Sequence, residues 1–266
     1  MSEVFYEAMK CGLIREVPER KKKKKMSEYE RSFTSKGYIL EDHKTGLIQG
    51  GLFEKTVQEL EIETSLNIDG ILFKIWDIQK KDLLGHRIRY TKSAIENNEY
   101  PGPDGTTPKY RPSKDLGNVF FYPHLTSINL WKEIAKDITI SVFITEGEKK
   151  AVLLCQYGYA CIGLFGVNNW LKREKRKVKD KEGKEEEKEI SVPIDCFDDI
   201  IWKDRIVYLV FDSDKYKNIQ VLVAEAKLWM HLKDLGADAR VINLPLDLEA
   251  KGIDDFFVKY AGNKNE

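Results

Sequence analysis

A chain of 266 residues has room for one large domain or two small ones, at about 100–200 residues each. Hydrophobic residues make up 42% and charged residues 33%, a globular composition with an ionic surface; 44 Lys plus Arg balance 44 Asp plus Glu, so contact with nucleic acid must use a local patch. No apolar run reaches the length of a membrane span and the N-terminus has no signal-peptide hydrophobic region, while four scattered cysteines without a C-x-x-C pair predict reduced thiols, a cytoplasmic location and no zinc ribbon.

Residues 1–36 are rich in charge and contain Arg20 followed by Lys21 to Lys25, a self-repelling block that predicts a flexible leader outside the core. Residues 37–137 read as a smaller, mixed α+β basic lobe. Within it, ILFKIWD at 71–77 and HRIRYTK at 86–92 predict paired strands around a turn, and in the second run Arg87 and Arg89 alternate with Ile88 and Tyr90, so the arginines share one face. PGPDGTTP at 101–108 is a turn cluster, and NVFFYP at 118–123 predicts a further strand ended by proline. Between Ile71 and Lys114 nine basic residues face five acidic ones, a positive bias on a strand-rich platform.

From residue 138 to the end the rhythm becomes strand, helix, strand. ITISVFI at 138–144, ACIGLFG at 160–166, RIVYLVF at 205–211 and ARVINLP at 239–245 are apolar on both faces and alternate with helical spacing at 148–158 and 221–236. That pattern predicts an α/β domain: a parallel sheet with helices on both faces. The stripe Val221, Ala224, Leu228, Leu232 and Leu235 on the second helix is read as core packing. The insert at 172–189, with nine basic and seven acidic residues, is expected to be a solvated loop or helical excursion.

In an open parallel sheet functional groups collect at the carboxyl edge of the strands. Two acidic groups fall there: Glu146 in TEGEKKA, where a strand stops and Gly147 permits a tight turn into a helix, and Asp212 with Asp214 in FDSD. Each acid alone is explained by helix capping, an Asx turn or the helix dipole. Their pairing at successive strand ends points instead to a hard divalent cation, which prefers carboxylate oxygens and leaves part of its shell to water and phosphate.

These residues resemble the Toprim domain, which carries a glutamate and glycine after its first strand and a D-x-D after a later one; the resemblance implies a compact Rossmann-like parallel sheet. More narrowly, TEGEKKA, GVNNW at 166–170, FDSD and KGIDDFF at 251–257, in that order, together with RIRY at 87–90 and KYRP at 109–112, resemble the Toprim-like domain of DnaG-type primases from plasmids, phages and other mobile genetic elements. The resemblance covers roughly residues 70–260. It implies a DNA primase, a nucleotidyltransferase of DNA replication that makes short primers. Mg2+ or Mn2+ would bind at Asp212, Asp214 and Glu146, with Glu146 as general acid/base or further ligand and Asp254 or Asp255 completing the cluster. Lys149 and Lys150 would contact phosphate, and Arg87, Arg89, Lys109 and Arg111, interleaved with Tyr90 and Tyr110, would hold a single-stranded DNA template. Nucleoside triphosphates are the implied co-substrates and a separate replicative helicase the implied partner. No zinc module or helicase domain accompanies these motifs, so the chain reads as a stand-alone primase or a piece of a larger protein. A Toprim nuclease and a non-catalytic single-stranded-DNA-binding module are the alternatives.

Overall fold

The computed structural model describes residues 34–179, 185–213, 218–244 and 250–261. The basic run at 21–25, Cys11 and Asp214 lie outside these segments. Residues 34–36, read as the end of the leader, are tied to the body: Ser35 bridges Ser65, and Lys36 N–H donates to Thr64 O at 3.0 Å.

Two helices, α1 (Glu41–Gln49) and α2 (Glu54–Glu59), lead into an antiparallel sheet of β1 (Glu63–Thr64), β2 (Gly70–Trp76), β3 (Leu83–Tyr90) and β4 (Tyr110–Pro112) in sequential order. The predicted pairing holds, with Phe73 opposite Arg87 and Ile71 opposite Arg89. The face of the sheet bearing Ile71, Phe73 and Ile75 packs on the main core, whereas Leu72, Ile88 and Tyr90 form a second, small core with Ala94 of α3 (Lys92–Glu96). Both faces are therefore covered, and the arginine face turns inward. The stretch at 118–123 is not a full strand: only Phe121 pairs, with Gly163, and Phe120, Phe121 and Tyr122 are all buried because the segment plugs into the core on either side.

After α4 (Trp131–Ile134) comes β5 (Val142–Glu146), then α5 (Glu148–Gln156), β6 (Cys161–Leu164), β9 (Ile206–Val210), α6 (Ile219–Asp234) and β10 (Asp238–Val241). These strands form a four-stranded, all-parallel sheet in the order β10-β9-β5-β6, flanked by helices, as the apolar runs predict. Val142, Ile144, Ile162, Leu164, Val207 and Leu209 are inaccessible to solvent, so this sheet carries the centre of the core. Residues of α1, α2 and β2, together with Ile253 near the C-terminal side of the described chain, join the same cluster, so one core runs through both sheets. Helix α5 stops at Gly158 (φ +87°), and α6 is opened by Asn218, whose side chain accepts from Gln220 N–H at 3.1 Å. The stripe on α6 buries Ala224, Leu228 and Leu232 as expected.

The charged insert is neither loop nor helix where it is described. It is a two-stranded hairpin, β7 (Leu171–Lys179) with β8 (Glu185–Pro193), that joins neither other sheet. Its register sets Lys175 against Glu189 and Lys177 against Glu187, and such cross-strand charge pairs favour the extended pairing where no apolar alternation exists to signal it. A last short helix, α7 (Ile253–Phe256), and a wide turn at Phe257–Ala261 pack back near α5.

Candidate functional site

The chain runs from β5 outward to β6, then returns to place β9 on the other side of β5. The connections thus diverge between β5 and β9, and a crevice opens at such a point beyond the carboxyl ends of the strands. Glu146 is the last residue of β5 and Asp212 follows β9 by two residues, so both acids reach this crevice. Thr145 Oγ1 donates to Val210 O at 2.7 Å and locks the two strand ends together. Gly147, with φ +94°, makes the turn from β5 into α5, a backbone conformation that a side chain disfavours.

A cavity of about 410 Å³ lies there, lined by Glu146, Gly147, Lys149, Lys150, Asp212, Lys251 and Asp254 from the parallel-sheet side and by Arg89, Lys109 and Tyr110 from the antiparallel sheet. Segments distant in sequence are stitched together around it. Ser213 donates to Lys251 O through its N–H at 2.8 Å and its hydroxyl at 3.0 Å, which joins the FDSD loop to the KGIDD loop. Of the two terminal aspartates, Asp254 faces the cavity. Asp255 does not: its carboxylate accepts from the N–H groups of Gly252 (3.1 Å) and Lys251 (3.2 Å) and so caps α7, which removes it from the expected ligand set.

The acids are not bare. Lys150 Nζ is paired with Asp212 Oδ1, and Lys149 Nζ with Asp254 Oδ2 at 2.9 Å. Burial works to raise the Asp254 pKa, but the charges of Lys149 and Lys150 outweigh it and hold the group below the usual carboxylate value. Lys109 is pushed below the usual lysine value, first by burial and then by the like charges of Arg89 and Lys150. A Cβ placed on Gly252 would stand 2.6 Å from Asp254 Oδ1, 2.9 Å from Lys150 Cε and 3.0 Å from Asp212 Oδ1, so two carboxylate oxygens converge on one point that only a glycine leaves open. Carboxylate oxygens brought this near one another are hard donors, the kind that Mg2+ or Mn2+ takes. Among the described residues, no group of three or more His, Cys, Asp or Glu side chains is placed to hold a metal ion. A cation here would therefore need Asp214 or a shift of the lysines.

The basic residues divide. Arg89 and Lys109 line the cavity, but two of the expected template contacts do not. Arg87 is 6% exposed: it is ion-paired to Glu148, donates through Nη2 to Phe165 O at 3.3 Å, and lies between the rings of Tyr110 (4.8 Å) and Phe165 (4.3 Å). It is an internal clamp between the sheets, not a nucleic-acid contact. Arg111 pairs across from Ile88, so the alternation of the strand turns it to the face away from the cavity, where it donates to Tyr100 O at 2.9 Å and lies over Tyr90. Tyr90 is itself buried and stacked on Tyr100, so it offers no ring to a base.

Sequence reasoning missed Glu148, which is fully buried at the first turn of α5. Burial raises its pKa, and the charge of Arg87 offsets part of the rise. The only sequence signal was a second acid directly after the glycine in TEGEKKA.

Fold and site thus define an α/β protein with a charged cavity, lined by acidic and basic side chains, where two sheets meet. Residues 130–264, about half of the chain, match the family described as a domain of unknown function (DUF3854), and the chain belongs to that family. No curated protein and no solved structure matches it. No helix among the described residues is long and apolar enough to cross a membrane.

Proposed function

We propose that the protein is a Toprim-type DNA primase of a mobile genetic element, which binds single-stranded DNA and nucleoside triphosphates at the cavity and joins nucleotides into short primers. The observation that carries this reading is the convergence, on one cavity, of Glu146, Asp212 and Asp254 with Arg89, Lys109, Lys149 and Lys150, the first two cations supplied by a different sheet from the acids. Arg89 and Lys109 attract the phosphates of a template, an electrostatic contact independent of sequence. Lys149 and Lys150 offer ammonium groups to the transferring phosphate. Glu146, at the end of a locked strand, is positioned to take or hold a proton at the reacting hydroxyl. A bound Mg2+ or Mn2+, held by Asp212 and Asp214 with Asp254 completing the cluster, would supply neutralisation of phosphate charge and activation of the hydroxyl.

The test is incubation with single-stranded DNA, Mg2+ or Mn2+ and labelled nucleotides. New oligonucleotides, lost in Glu146→Gln and in Asp212→Asn, support the reading. Metal-dependent degradation of the template without nucleotide incorporation replaces it with a nuclease. One observation favours a second reading: the pairing of Asp212 and Asp254 with lysines suits a module that binds phosphate without a metal. DNA binding unchanged by metal or by Asp212→Asn, with no synthesis, would favour it.

A further inference from the structure

We propose that the outer face of α6 is a self-association surface, on which a second copy of this chain docks its own α6 in the antiparallel direction. The inference stands apart from the primase reading. At about 100° per residue the buried Ala224, Leu228 and Leu232 centre on one side of the helix, while Ile219, Val223, Ala226 and Met230 fall within an arc of about 60° on the opposite side. These four are exposed, Ile219 to 71%, Val223 to 44% and Met230 to 58%, and Trp229, at 36%, extends the patch on one flank. Their spacing of four, three and four residues is that of a helix-pairing seam, a second apolar stripe that the packing of α6 on its own sheet does not use.

The stripe is matched to its own reverse. Laid antiparallel about a twofold axis between Val223 and Ala226, Ile219 of one copy faces Met230 of the other, and Val223 faces Ala226, whose small side chain leaves room for it. On the flanks Leu222 comes beside the second copy's Trp229, and Lys227 beside the second copy's Gln220. Between residues 219 and 230 the charged residues are Glu225, buried on the core side, and Lys227, so no like charges are opposed and no charge enters the seam. The antiparallel direction also sets the positive end of each helix dipole beside the negative end of the other, where a parallel one would align them. A charged partner finds no counter-charge on this stripe, whereas an identical stripe finds an apolar side chain at every position. Val221, which lines the cavity, lies on the other side of the helix from the seam, so pairing leaves the cavity open. The side chains that one helix face offers are far fewer than the roughly 20–30 residues a side of a standard interface, so the pair is a reversible one.

The test is sedimentation velocity of the full chain over a concentration series, in the wild type, Val223→Glu and Met230→Glu, together with disulfide trapping by diamide in Ile219→Cys, Met230→Cys and the variant that carries both cysteines. The wild type is expected to pass from monomer to dimer as concentration rises, and either glutamate to weaken the association about tenfold or more, since a carboxylate then replaces a buried apolar side chain at two symmetry-related places. Both positions are exposed in the single chain, so circular dichroism is expected to report unchanged helix content. Measured against the wild type, a covalent dimer is expected with both cysteines and with neither alone, because the antiparallel seam sets residue 219 against 230 and holds each about 17 Å along the seam from its own copy. A wild type that stays monomeric up to about 1 mM overturns the proposal and leaves the stripe to another segment of this chain or to a different protein. Dimerisation indifferent to both glutamates also overturns it, by moving the contact elsewhere. Covalent dimers in either single-cysteine variant overturn the antiparallel pairing in favour of a parallel one.

Discussion

The Arg87–Glu148 pair sets up a decisive perturbation. Both side chains are buried, at 7% and 0% exposure, and the guanidinium is also sandwiched between Tyr110 and Phe165. Arg87→Met keeps an unbranched apolar side chain and removes the charged guanidinium that lies over the two rings. Breaking a buried pair from one side costs roughly 3–5 kcal/mol, because the surviving charge is stranded in a medium that solvates it poorly. The loss depends on pH with a fixed sign. Burial raises the Glu148 pKa in the folded state, so the native protein holds a proton that the unfolded chain has released, and stability falls as pH rises from the ordinary carboxylate value through the folded one. Arg87 offsets that rise, so its removal pushes the folded pKa higher and extends the window over which stability is lost. The deficit of Arg87→Met is therefore expected to be larger near pH 8 than near pH 5, because protonation of Glu148 in the native state neutralises the stranded charge as pH falls. Arg87→Met combined with Glu148→Met should recover most of the loss, since two apolar side chains of similar length replace both charges. The assay is urea denaturation followed by tryptophan fluorescence at the two pH values. A loss under about 1 kcal/mol near pH 8, or a double variant whose loss is the sum of the two single losses, would refute the buried-clamp argument.

Three further outcomes are expected. Gly252→Ala should leave the fold intact, since φ −116° is open to any residue, yet weaken Mn2+ and single-stranded DNA binding because the methyl group displaces Asp212 and Asp254; calorimetric titration beside a thermal melt separates the two effects. Replacement of residues 173–191 by a short turn should change stability by no more than about 0.5 kcal/mol, because the root of the arm, where Asn118 donates to Leu171 O and Ile194 N–H to Trp170 O, remains; circular dichroism on heating checks it. Burial pushes the Cys155 thiol up to about 12 and Cys161 well above its usual value, so iodoacetamide near pH 8 should modify neither until urea unfolds the chain, as read by mass spectrometry.

The parallel sheet was legible because strands covered on both sides have no polar face to hide: Val142, Ile144, Val207 and Leu209 appear as unbroken apolar runs. The acids at the ends of β5 and β9 were legible for the same reason, since a strand that stops being apolar marks the edge of its sheet. Polarity misled at β3. Alternation correctly put Arg87 and Arg89 on one face, but sequence periodicity says nothing about which face meets the other sheet, and here the polar face does, with Ile88 and Tyr90 in a small core behind it. The hairpin was hidden because Lys175 opposite Glu189 looks, along the chain, like any solvated charge run. Asp254 and Asp255 are told apart only by the cap that Asp255 makes on Gly252.

The burial of Arg87 explains how a cation from one sheet is held over acids from another. Its guanidinium grips Glu148, two residues past Glu146, and Phe165 O, one residue past β6, so it takes hold of the turns that follow both β5 and β6 at the carboxyl edge. Along a strand the next side chain on the same face comes two residues later, about 7 Å further on. That residue is Arg89, and this step carries it from the clamp to the cavity wall. The two-residue period thus divides the labour within β3: one arginine gives up its exposure to fix the distance between the sheets, and the other keeps its place in the cavity because that distance is fixed. The stability loss expected for Arg87→Met should accordingly bring a loss of anion affinity, although Arg87 itself never meets the anion.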